Sequence, residues 1–176
     1  FSILEQTDDS RVVNISSIAH NRGNLNFDDL NWESRDYAPW SAYGDSKIAN
    51  LYFTSELARR ASGRGSGVKI VAAHPGWTKT DLQRNSRIAD FLNNFFAMSV
   101  EQGTLPTLRA ATEDEVEDGA YYGPDGFREM WGDPVQVEPR ERAKSDETAK
   151  KLWEVSEEMT GEKFMSEALD VLKSHG

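Results

Sequence analysis

Val68-Lys69-Ile70-Val71-Ala72-Ala73-His74-Pro75-Gly76 is the stretch on which the fold turns. Its first six residues are too few for a helix and rich in β-branched side chains. They read as a strand buried on both faces, closed by a Pro-Gly turn. Upstream, Ser62-Gly63-Arg64-Gly65-Ser66-Gly67 reads as a helix stop and flexible turn. The helix it ends starts at Pro39-Trp40-Ser41-Ala42 and runs to about Ala61, with Ile48, Leu51, Tyr52, Ser55, Leu57 and Ala58 near helical spacing. Before that helix, residues 18–40 form a long irregular segment rich in Asn, Asp and aromatics, and such loops in compact domains are usually functional. Earlier still, Val12-Val13-Asn14-Ile15-Ser16 is another short β-branched run, preceded by the turn Thr7-Asp8-Asp9-Ser10 and a helix end over residues 1–7.

Downstream, residues 79–99 read as a mixed amphipathic segment of short helices. Glu101 to about Thr112 reads as a helix with Pro106 near its first turn. Ala120-Tyr121-Tyr122 is a third strand, Gly123-Pro124-Asp125-Gly126 a turn, and residues 145–159 a charged helix. Strand alternating with helix is the signature of an α/β domain with a parallel sheet. Right-handed crossovers place the loops after successive strands at one edge, where such sheets bind ligands. Ser17, Tyr43 and Pro75-Gly76 are then expected to converge on one crevice.

Composition excludes several classes of chemistry. With 176 residues, 38% hydrophobic and 28% charged, the chain is one soluble domain at most. No apolar run approaches a membrane span, and cytoplasmic localisation is the default expectation. There is no cysteine, hence no disulfide, thiolate nucleophile or cysteine-ligated metal. His20, His74 and His175 lie too far apart for a local metal motif. A net charge of −10 without a Lys/Arg cluster argues against nucleic acid. The acidic run Glu113-Asp114-Glu115-Val116-Glu117-Asp118 is an ordinary acidic surface, or an adaptation to high salt.

Tyr43 and Lys47, four residues apart on a helix, share one face. A phenol is a poor acid or base at neutral pH, and an ammonium one turn away favours the phenolate. The pair is a candidate general acid/base for chemistry at a carbonyl or alcohol; taken alone, it is equally a packed Tyr beside a solvated Lys. Ser17, at the end of the first strand, carries a hydroxyl able to hold a carbonyl oxygen, or else simply begins a turn. Gly76 lets backbone approach a ligand, and Thr78 and Thr80 offer hydroxyls and amides, although Pro-Gly by itself is only a turn.

In this order the residues resemble the short-chain dehydrogenase/reductase family. Asn14-Ile15-Ser16-Ser17 is similar to its serine strand, Tyr43 to Lys47 to its Tyr-x-x-x-Lys signature, and His74-Pro75-Gly76-Trp77-Thr78-Lys79-Thr80 to its Pro-Gly-x-x-x-Thr nicotinamide loop. Ser17-Ile18-Ala19-His20, Glu101-Gln102-Gly103-Thr104 and Tyr121-Tyr122-Gly123-Pro124 resemble the retinol-dehydrogenase-like branch. The resemblance implies Tyr43 as proton donor or acceptor, Lys47 as the group that lowers its pKa and binds the nicotinamide ribose, and Ser17 as the residue that polarises the substrate carbonyl. It implies Pro75, Gly76, Thr78 and Thr80 around an NAD(P) nicotinamide, NADP slightly favoured by analogy. The implied substrate is a small, lipophilic alcohol or carbonyl compound. A homo-oligomer packed through the helix from Ala42 to Ala61 is also a matter of family analogy.

The chain departs from the family in lacking a Gly-x-x-x-Gly-x-Gly turn before its first strand. Gly63 to Gly67 is no substitute, because a dinucleotide loop follows a strand and opens a helix. Residues 1–160 are therefore expected to be the C-terminal portion of a Rossmann-like doubly wound domain, with 161–176 as a tail. The isolated chain is expected to be an incomplete enzyme that binds cofactor poorly, and the first strand to expose a hydrophobic edge. Phe91, Leu92, Phe95, Phe96 and Met98 give an apolar face to a substrate lid, or fill the core or a subunit interface. Trp32, Tyr37 and Trp40 line the pocket or anchor their loop. His20 and His74 are expected to be structural. The main alternative is a non-catalytic sensor or scaffold on the same fold. A serine hydrolase using Ser17 fails for want of a Gly-x-Ser-x-Gly elbow.

Overall fold

The computed structural model describes residues 1–77 and 98–164. In chain order the elements are α1 (Ser2–Glu5), β1 (Arg11–Ile15), a 3-10 turn (Ile18–Arg22), α2 (Pro39–Ser62) and β2 (Lys69–Ala73). Then come α3 (Val100–Thr112), β3 (Tyr121–Pro124), a 3-10 turn (Phe127–Glu129), β4 (Pro134–Gln136), a 3-10 turn (Glu141–Lys144) and α4 (Asp146–Thr160). Thr78, Thr80, the lid residues Phe91, Leu92, Phe95 and Phe96, His175 and most of the tail lie outside the described residues.

The four strands lie in the order β1-β2-β3-β4. The first three are parallel, with Val13 opposite Val71 and Ala72 opposite Tyr121. Alternation along β2 explains why the sheet is covered on both sides. Ile70 and Ala72 face α2 and α4, where they pack with Ile48, Leu51, Leu57, Tyr121 and Trp153. Val71 and Ala73 face the other way, against Ala110 of α3, Val116 and Tyr122. Ile48, Ile70 and Val71 are fully buried, each stabilising the fold by about 1.5–3 kcal/mol relative to exposure. This two-faced burial is the doubly wound arrangement that the strand and helix pattern predicts. β1 forms one margin of the described sheet, with Ile15 41% exposed at its end.

Three details differ from the sequence reading. The sheet is mixed, because β4 returns antiparallel to β3, with Gly123 opposite Val135. Pro134-Val135-Gln136 is too short to carry a periodic signal. Gly123 and Pro124 belong to β3, and the chain reverses only after them. Pro106 lies in the interior of α3, since the helix opens at Val100. Ser99 caps that helix, its hydroxyl accepting from the Gln102 amide while Gln102 accepts from the Ser99 amide; the Ser-x-x-Gln spacing was a readable signal for it.

Candidate active site

Ser16 is the junction on which the site is built. Its amide donates to the Ala73 carbonyl at 2.8 Å, extending the β1–β2 ladder to the strand ends. Its hydroxyl donates to the Lys47 carbonyl at 2.9 Å. The end of β1, the end of β2 and the third turn of α2 therefore meet at one residue, which brings Ser17, Pro75-Gly76 and the Tyr43–Lys47 turn to the same edge of the sheet. Further polar contacts fix α2 against β1. The Asn50 amide donates to the Ile15 carbonyl at 2.8 Å, and the Asn14 amide donates to the Thr54 hydroxyl at 2.9 Å.

Lys47 and Tyr43 are both half-buried, with the ammonium 5.5 Å from the phenol ring centroid. Lys47 Nζ donates to the Ile15 carbonyl at 3.3 Å, and no carboxylate among the described residues pairs with it. Burial pulls the Lys47 pKa below that of an ordinary lysine. Trp40, which the structure places in the first turn of α2 rather than in the loop, packs edge-on against Tyr43 at 6.5 Å and so borders the site. Trp32 instead anchors the loop: the Arg35 guanidinium stacks on its ring at 3.5 Å. Arg35 also bridges Asp29 and Asp45 at 3.4 and 3.3 Å, and Asp45 is two residues from Tyr43.

Ser17 caps the 3-10 turn that follows β1, its hydroxyl accepting from the Ala19 amide at 3.1 Å. No hydrogen bond joins Ser17 to Tyr43; what brings the two segments together is a glycine contact. A Cβ on Gly23 would stand 2.6 Å from Ile48 Cγ2, and one on Gly44 3.0 Å from the Ala19 carbonyl. Only glycine at position 23 lets the serine loop lie directly on α2, and at Gly44 a side chain would make a tighter than ordinary contact. Sequence reasoning missed this pair, because nothing local distinguishes these glycines from turn residues.

His20 and His74 are both buried. His20 Nδ1 donates to the Ser17 carbonyl at 2.7 Å, and burial lowers its pKa. The Tyr121 ring lies between the two imidazoles, 5.6 Å from His20 and 5.1 Å from His74. Its hydroxyl is buried beside Ser16 with no hydrogen-bond partner among the described residues, and burial raises its pKa. Pro75 and Gly76 follow β2 directly, and Gly76 has φ +67°. Thr78 and Thr80, the other two residues expected at this loop, fall outside the described residues. Among the described residues no cluster of acidic or histidine side chains could hold a metal, and no helix is long and apolar enough to cross a membrane.

A mostly parallel α/β sheet whose strand ends gather a serine, a Tyr–Lys helical turn and a Pro-Gly turn defines a partial Rossmann-like protein. Over nine-tenths of its length the chain is similar in sequence to retinol dehydrogenases, and it resembles the C-terminal portion of the retinol-dehydrogenase-like branch of the short-chain dehydrogenase/reductases. It is 36% identical to retinol dehydrogenase 13 of Homo sapiens over 169 residues, which covers 90% of this chain and 48% of that protein. It is 38% identical to retinol dehydrogenase 12 of Mus musculus, over 90% of this chain and 48% of that protein. A crystal structure of an uncharacterized protein from Mycobacterium Paratuberculosis matches with a TM-score of 0.72 and 40% identity, covering 89% of this chain and 52% of that one. The chain thus spans about half the length of the curated relatives it matches. No family profile matches it.

Proposed function

We propose that this chain carries the proton-transfer end of an NAD(P)-dependent oxidoreductase that interconverts a lipophilic alcohol, of retinoid type, with its carbonyl compound. The observation that carries the reading is the Ser16 junction, which holds the Tyr43–Lys47 turn against the ends of β1 and β2. Support for the substrate class comes from the relatives, which are retinol dehydrogenases. NADP is the cofactor form favoured by family analogy.

The residues present fit a nicotinamide nucleoside. Lys47 is a half-buried cation without a carboxylate partner among the described residues, suited to bind ribose hydroxyls. The Pro75–Gly76 backbone, with Thr80 beyond it, would hold the carboxamide. When bound, the nicotinamide supplies or accepts the hydride. Tyr43 gives its phenolic proton to the carbonyl oxygen in reduction and takes the alcohol proton in oxidation. The Ser17 hydroxyl, which accepts from the Ala19 amide, has its own proton free to donate to the substrate oxygen beside Tyr43.

Tyr43→Phe in the complete gene product tests the reading, with NADPH and a retinoid aldehyde as probes. Turnover should fall by roughly a hundredfold or more, as for loss of a general acid, while circular dichroism stays unchanged. A Tyr43→Phe protein with full turnover would sink the proposal. Intact biological activity without turnover in either protein would favour the scaffold reading.

A further inference from the structure

The geometry points to His74 and Glu129 as a positioning pair that sets the Pro75–Gly76 turn; the inference rests on the reading of that turn as the nicotinamide loop. His74 follows β2 and is fully buried, so its hydrogen bonds determine what it does. Its Nδ1 accepts from the Gly76 amide at 3.2 Å, and its Nε2 is 2.9 Å from a carboxylate oxygen of Glu129. An atom that accepts from an amide carries no proton, so Nδ1 is bare and Nε2 bears the hydrogen donated to Glu129. The carboxylate therefore selects the one neutral tautomer able to hold the Gly76 amide.

Three features are arranged around this contact. Arg128 and Glu129 both adopt left-handed backbone, at φ 53° and 58°, and two consecutive non-glycine residues there are strained. That turn swings Glu129 back from the β3–β4 connection onto the end of β2. Gly123 gives the imidazole its place, since a Cβ there would overlap His74 Nε2 and lie 2.7 Å from Cδ2. The next residue after Glu129 continues the clamp: the Trp77 amide donates to the Met130 carbonyl at 2.8 Å, and the Met98 amide to the Trp77 carbonyl at 2.9 Å. A Cβ on Gly76 would stand 2.7 Å from that same Met130 carbonyl. The turn after β2 is thus held on one side by an imidazole and on the other by the backbone of the Glu129 segment. Strain concentrated where a carboxylate orients a buried histidine fits a site held in position.

Glu129→Gly separates positioning from structure, because it removes the carboxylate and relieves the left-handed strain at that residue together. The proposal expects the complete gene product to keep or raise its melting temperature. It expects kcat with NADPH to fall tenfold or more, while affinity for 2′,5′-ADP, which lacks the nicotinamide, stays within twofold. Glu129→Gln, whose side-chain oxygen still accepts from Nε2, should restore most of kcat. By nitrogen NMR, the wild-type His74 should carry its proton on Nε2, and the Gly76 amide should lose exchange protection in Glu129→Gly. Unchanged kcat in Glu129→Gly, or a fall that Glu129→Gln does not restore, would overturn the positioning role. Wild-type protein without nicotinamide-dependent turnover, yet with the His74 tautomer and Gly76 protection behaving as stated, would instead sink the functional reading and leave the pair standing.

Discussion

The Ser16 hydroxyl donates to the Lys47 carbonyl across 31 residues of sequence, and this one bond joins the end of β1 to the turn of α2 that carries Tyr43 and Lys47. Ser16→Ala removes it. The expected cost is about 1 kcal/mol, typical of a single intramolecular hydrogen bond. Urea denaturation measures it, and an unchanged midpoint would show that the α2 turn is held by other contacts.

Gly23→Ala forces a methyl group into Ile48 and the Gly44 carbonyl. Overpacking of this kind costs about 1–3 kcal/mol. Gly67→Ala is the control, because nothing lies within 4 Å of the added atom and loss of unfolded-state freedom makes it neutral or slightly stabilising. Thermal melts of the two variants should move in opposite directions, or the second not at all. Equal losses would show that the glycine contact is not tight in solution.

Glu56 should govern part of the acid branch of stability. Burial pushes its carboxyl up, but the guanidinium groups of Arg59 and Arg60, hydrogen-bonded to it at 2.6–2.8 Å, outweigh burial and hold it below 4.5. Its stabilising contribution is therefore complete above the unfolded value of 4.5 and is lost as pH falls through the lower folded value. Glu56→Gln should lower stability at neutral pH and flatten the decline below pH 4.5. Parallel wild-type and Glu56→Gln stability curves across that range would refute the assignment.

Lys47→Met should separate stability from activity. Burial disfavours the Lys47 charge, which lowers its folded pKa, so the charged form is a cost to the fold at neutral pH that diminishes as pH rises. The methionine variant should keep or raise its melting temperature while turnover falls by roughly a hundredfold or more. A large drop in melting temperature would mean that the bond from Nζ to the Ile15 carbonyl matters more than desolvation.

Much of the α/β fold was legible because its signals are local. β-Branched runs marked β1 and β2 within a residue or two, and spacing near 3.6 marked α2. Placing Tyr43 and Lys47 on one face needed only helix geometry. β4 escaped notice because three residues carry no period, and its antiparallel pairing depends on where the chain reverses after Pro124. The Asp29–Arg35–Asp45 bridge and the Gly23–Gly44 approach escaped for a different reason: each joins residues whose own neighbourhoods look like ordinary loop and helix.

The amino-acid sequence determined most of the elements of this protein, the strand-end positions of Ser17 and Pro75-Gly76, and the shared face of Tyr43 and Lys47, because those follow from local β-branched runs and from the 3.6-residue period of a helix. Tertiary structure alone decided what holds these groups. Ser16 reaches Lys47, Gly23 meets Gly44, and Glu129 meets a histidine 55 residues away. Contacts between residues so far apart in the chain depend on strand order and on which side chains can approach without a Cβ between them, and neither is a property of any short stretch of sequence.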